Sequence, residues 1–183
     1  MEEYMETHVK IPLERIGVVI GKNGEVKKLM EEMGGVELKI GGEDGDVLIK
    51  YEAGDLNFLK VKDVLYAIGR GFSPERAIKL FEDDMLMCDT ITLTKMTKHD
   101  MQRIKGRIIG RDGKMREYME NVTGTMISVY GKTISMIGYP EEINSVKKAI
   151  EMLIDGSPHE TVYRYLDKEK IKLRRTDLVS QNK

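Results

Sequence analysis

The chain has 183 residues, 40% hydrophobic and 33% charged, with a formal net charge of −1, which describes a globular protein with room for one large core or two small ones. No apolar run approaches the roughly 20 residues that cross a bilayer, and the acidic start Met1-Glu2-Glu3-Tyr4 is unlike a secretory signal, so cytoplasmic residence is expected. The single cysteine, Cys88, excludes an internal disulfide and a cysteine-cluster zinc site; His8, His99 and His159 lie far apart, and no metal or cofactor is expected.

The first predicted strand, Thr7 to Ile11, leads through a short helical stretch into Gly17-Val18-Val19-Ile20-Gly21-Lys22-Asn23-Gly24. A helix over Glu25 to Met33 follows and ends at Gly34, a residue suited to a helix C-cap. Val36, Leu38 and Ile40 alternate along one strand face, and a second strand is expected over Asp46 to Tyr51. The turn between them, Glu43-Asp44-Gly45-Asp46, is too short and poorly spaced for a calcium loop. An amphipathic helix then aligns Leu56, Leu59, Val64, Leu65 and Ile68. Gly71-Phe72-Ser73-Pro74 opens a further helix, with Ser as cap and Pro at the first helical position.

The same order then recurs. A strand over Thr90 to Thr94 precedes Gly106-Arg107-Ile108-Ile109-Gly110-Arg111-Asp112-Gly113, 89 positions after the first octet. A helix over Lys114 to Val122 ends at Gly124. Thr125, Ile127 and Val129 alternate, a strand spans Thr133 to Ile137, and Ile143, Val146, Ile150, Leu153 and Ile154 form the second stripe. Gly156-Ser157-Pro158 opens the last helix. A duplicated β-α-α-β-β-α unit with an appended helix is the economical reading, with domains at 1–84 and 85–183. The net charge of −1 hides an uneven split: the first half carries −6 and the second +5, so phosphate affinity should lie in the second.

Two glycines between two helices are costly, because each weakens a helix by about 1 kcal/mol relative to alanine. They let backbone approach backbone or ligand, and the next helix aims its unpaired N–H groups back at the turn, making an anion site. Lys22 and Arg111 add a cation at each tip. Gly17 and Gly106 sit inside the preceding helix, where a missing side chain admits either nucleic acid or a neighbouring helix. Around the second turn lie Arg103, Lys105, Arg107, Arg111, Lys114 and Arg116; the matching first-half residues are Glu14, Ile16, Val18, Lys22, Glu25 and Lys27.

The duplicated octet resembles the signature of the type I (eukaryotic-type) KH fold, an α+β module whose Gly-x-x-Gly turn clamps about four nucleotides of single-stranded RNA or DNA. The resemblance implies a clamp at Gly110, Arg111, Asp112 and Gly113, and a groove wall of Arg107, Ile108 and Lys114 with Met126, Ile127 and Ser128. Gly106 and Lys105 adjoin it, and Gly21, Lys22, Asn23 and Gly24 form a secondary clamp. Two such modules followed by Gly156-Ser157-Pro158-His159-Glu160-Thr161-Val162-Tyr163-Arg164-Tyr165-Leu166 look like the archaeal branch of the partner-of-Nob-one (Dim-two) family. That resemblance implies binding near the 3′ end of small-subunit ribosomal RNA during assembly, beside the endonuclease that trims that end.

The segment from His159 to Arg175 is amphipathic, then basic through Lys168, Lys170, Lys172, Arg174 and Arg175. It reads either as a packing helix with a solvated tail or as added RNA-binding surface. Tyr163 and Tyr165 read as packing residues, and Ser180 to Lys183 as a disordered end. Catalysis is not expected: Gly21-Lys22 leads to Asn23 and Gly113-Lys114 to Met115, so neither turn has the hydroxyl of a P-loop. The alternatives are a KH-based protein-interaction scaffold, which the acidic first module favours, or another KH regulator of transcription or RNA decay.

Overall fold

The computed structural model describes residues 3–41 and 44–180, with side chains through residue 173. The expectations placed on Glu43, on the side chains of Arg174 and Arg175, and on residues 181–183 lie outside this range. The chain divides into two compact units, Met1–Asp84 and Met85–Lys183.

In the first unit, β1 (Tyr4–Lys10), α1 (Leu13–Ile20), α2 (Glu25–Gly34), β2 (Glu37–Ile40), β3 (Asp46–Glu52) and α3 (Asn57–Gly69) follow in order, then α4 (Pro74–Ala77) and α5 (Lys79–Glu82). The antiparallel sheet has the order β1-β3-β2, with His8 opposite Leu48 and Leu38 opposite Ile49. Alternation puts Val47, Ile49 and Tyr51 on the buried face, against α3, whose Val61, Val64, Leu65 and Ile68 are buried too. The second unit repeats this with β4 (Met87–Thr92), α6 (Lys98–Ile109), α7 (Lys114–Thr123), β5 (Met126–Tyr130), β6 (Thr133–Gly138), α8 (Pro140–Ile154) and α9 (His159–Ser180). Its sheet order is β4-β6-β5, and the fold is the expected tandem α+β arrangement.

Local differences from the sequence reading have physical reasons. Gly34 is the last residue of α2, and Gly35 (φ 60°) is its left-handed cap; Gly34 is needed because a Cβ there would lie 2.2 Å from Val61 Cγ2. Leu56 precedes α3 and is 68% exposed, and Leu59 is 47% exposed, so Val61 and Ala67 complete the stripe instead. The first appended helix is two four-residue turns, whereas α9 runs 22 residues. Ser180, expected to begin a disordered end, closes α9. Among the described residues no helix is long and apolar enough to cross a membrane.

Candidate nucleic-acid interface

Each Gly-x-x-Gly turn is a break between two helices, held by one tight 3-10 turn. α6 ends at Ile109, and Gly110 N–H donates to Gly106 O at 2.9 Å. Gly110 (φ 73°), Asp112 (φ 55°) and Gly113 (φ 78°) all take positive φ before α7 begins at Lys114. The first turn repeats this at Gly21 (73°), Asn23 (54°) and Gly24 (80°). Asparagine and aspartate are the non-glycine residues that best tolerate this conformation. Glycine is sterically required at the first position: a Cβ on Gly110 would lie 2.8 Å from Met115 N, and one on Gly21 2.8 Å from Val26 N. At Gly113 and Gly24 the same construction meets no atom within 4 Å, so the space beside them is open.

Neither α2 nor α7 has a side-chain N-cap, unlike α6, whose Thr97 accepts from Asp100 N–H at 3.1 Å. The Lys114 N–H donates to Arg111 O and the Glu25 N–H to Lys22 O, and the amides after them, with the positive dipole ends, face the turn without a side-chain cap. Gly106 and Gly17 are exposed, and a Cβ on either meets nothing within 4 Å. Of the two uses considered for these glycines, no packing neighbour is present among the described residues, which leaves the open approach.

The cations separate the turns. Arg111 and Lys114 are exposed and Lys105 half-buried; none has an ion pair among the described residues. Arg116 is half-buried, and its buried Nε has no hydrogen-bond partner among the described residues. Arg103 lies 3.6 Å from Asp100. In the first unit Lys22 is the one cation at the tip among the described residues, while Lys27 lies 3.7 Å from Glu31 and Lys28 lies 3.7 Å from Glu32.

Four of the expected wall residues are placed differently. Ile108 and Ile127 are fully buried in the core, because the strand and helix phases that complete the core turn them inward. The Arg107 guanidinium donates to Ser157 O, and Arg107 O faces His159 Nε2 at 2.8 Å, so Arg107 ties α6 to the start of α9. Ser128, also expected in the wall, is buried as well, and Met126 is half-buried. Of the residues expected beside the second turn, Gly106 and Lys114 stay exposed, and Lys105, Arg116 and Met126 are half-buried.

One shared device escaped the sequence reading. Glu120 accepts the Ile127 N–H at 2.7 Å, and Glu31 accepts that of Leu38 at 2.8 Å, fastening the helix after each turn to an edge strand. The signal was present: both glutamates keep the 89-residue offset. The expected packing of the tyrosines is seen, Tyr163 edge-on to Tyr118 at 4.6 Å and Tyr165 donating to Ser145 O at 3.3 Å. Burial and Glu169 push the Tyr165 phenol up to about 12.

A profile described as eukaryotic-type KH-domain (KH-domain type I) matches residues 86–171, and a KH domain profile matches residues 6–54. A KH domain-containing protein of Methanocaldococcus jannaschii is 41% identical, covering 91% of this chain and 75% of that one. RNA-binding protein pno1 of Dictyostelium discoideum is 36% identical, covering 58% of this chain and 46% of its own length. The chain spans about half the length of such eukaryotic relatives, some of them named pre-rRNA-processing proteins. Among solved structures, an aDim2p complex with a/eIF2alpha and rRNA from Pyrococcus horikoshii is 43% identical with a TM-score of 0.86, covering 93% of this chain and 96% of that one.

Proposed function

From the premise that this chain belongs to the archaeal PNO1/Dim2 family of KH proteins, we propose that it is a non-catalytic protein that binds single-stranded RNA. Its target is the 3′ end region of small-subunit ribosomal RNA during assembly and processing in the cytoplasm. The observation that carries the reading is the second turn: an uncapped helix end beside Gly110–Gly113, with Lys105, Arg111, Lys114 and Arg116 free of ion pairs among the described residues. Those groups meet phosphodiesters at the clamp while the bases lie along Gly106 and Met126. The rRNA in the Pyrococcus complex and the RNA-binding and pre-rRNA-processing names of eukaryotic relatives support the same target. Gly21–Gly24 is a weaker second clamp, and the endonuclease that trims the 3′ end is a partner on the assembling subunit.

Crosslinking in cells tests the target. Recovery of small-subunit rRNA 3′ ends is expected; recovery of scattered messenger RNAs would place the protein in transcription or decay instead. Affinity for a short single-stranded RNA should fall steeply as salt rises, because phosphate contacts release counterions. A salt-insensitive affinity would favour the protein scaffold that the acidic first unit allows.

A further inference from the structure

The appended helices leave one helix face covered and its repeat bare. α9 places Val162 and Leu166, both fully buried, in the core, and packs Tyr163 against Tyr118 of α7, whose hydroxyl donates to Asp167. Leu29 stands 89 positions before Tyr118, on the same turn of α2. After the first module the chain supplies only the short α4 and α5, which bury Ala77 and Leu80. Leu29 remains 40% exposed beside a groove of about 450 Å³, walled by Val26 and Leu29 on one side and Pro74 and Ile78 on the other.

We propose that this groove receives one helix of a partner protein, amphipathic and with a basic flank, in the way that α9 covers α7. The shape argument is spacing: Val26 and Leu29 lie three apart, Pro74 and Ile78 four apart, and the valley between such ridges accepts the apolar stripe of a helix. The charge argument selects the flank. Glu25, Glu32 and Glu75 border the groove, and the one bordering cation among the described residues, Lys28, lies 3.7 Å from Glu32. Once Lys28 and Glu32 offset each other, the carboxylates of Glu25 and Glu75 remain, and they repel a nucleic-acid backbone and attract lysine or arginine. The proposal does not rest on the RNA reading, since none of these groove residues belongs to the second clamp.

The test uses the full-length protein and a synthetic helical peptide with leucines at i, i+4 and i+7 and lysines on one flank. A control peptide carries glutamates in place of the lysines. The lysine peptide should shift the methyl resonances of Val26, Leu29 and Ile78, and the glutamate peptide should bind about tenfold more weakly or worse. Leu29→Glu should cut affinity about tenfold with the circular dichroism unchanged, because the side chain is exposed. Glu75→Lys, on the opposite wall, should weaken binding while leaving α2 untouched. Equal binding by both peptides, or unchanged binding to Leu29→Glu, overturns the proposal. So does a dimer that Leu29→Glu dissolves, which gives the groove to a second copy, or a single-stranded RNA that shifts the Leu29 and Ile78 methyls, which lie away from the first glycine turn, as strongly as the lysine peptide does.

Discussion

The two glycine turns adopt φ angles that agree within about two degrees at each of the three left-handed positions, yet they stand in opposite electrostatic settings. Around Gly21–Gly24 the cations beyond Lys22 are tied to glutamates on their own helix; around Gly110–Gly113 Arg103 alone is paired, with Asp100, and Lys105, Arg111, Lys114 and Arg116 have no ion pair among the described residues. If the turns are the proposed clamps, their geometry and their affinity are therefore separable. Glycine and a left-handed Asn or Asp set the first, and the charges on the flanking helices set the second.

Charge reversal should break this symmetry most sharply. Arg111→Asp should weaken binding to a short single-stranded RNA about 30-fold, or about 2 kcal/mol, while Lys22→Asp should cost no more than about twofold. Fluorescence anisotropy on both variants reads this, and equal losses would end the asymmetry.

The next comparison should show equality. Glu31→Ala and Glu120→Ala each strip the carboxylate from an edge-strand amide, so each should destabilise its own unit by about 1–2 kcal/mol in urea unfolding. Unequal losses would mean that the shared bond does different work in the two units. A smaller effect separates them again. Tyr118→Leu removes the edge-on ring contact and the bond to Asp167, costing about 1 kcal/mol, whereas Leu29→Tyr should stay within about 0.5 kcal/mol.

The duplication, the helix–turn–helix at each glycine pair and the uneven charge were legible because each depends on residue type at a fixed spacing. The direction of an apolar side chain was not. Ile108 and Ile127 lie in the stretch a KH groove uses, but packing with Met115 and Met119 decides their orientation, and it turns them inward. Leu56 and Leu59 fit a helical stripe by count, yet α3 begins at Asn57 and its buried face is set by Val61 and Leu65. Ser73-Pro74 signals where a helix starts, with no information on where it stops, so the brevity of α4 and α5 was hidden. Arg107 looked like a ligand contact by position; its actual partner, Ser157 O, is 50 residues away.

The smallest expected effect is a pH limb confined to the second unit. A hydrogen bond from Lys147 at 2.9 Å holds the Asp89 carboxyl below its ordinary value. A depressed carboxyl stabilises the fold above its unfolded pKa, and that contribution is lost as pH falls through the lower folded value. Unfolding of the second unit should therefore ease below about pH 4, and Lys147→Met should flatten that limb by well under 1 kcal/mol because the pair is part-exposed.

The most direct measurement is an NMR titration of the full chain with a short single-stranded RNA, following backbone amides. The amides of Arg111, Asp112, Gly113 and Lys114 should move first and furthest, with those of Lys22 to Glu25 responding only at higher RNA. Movement led by Lys22 to Glu25, or shifts that spare both turns, would contradict the assignment of the second turn as the phosphodiester clamp.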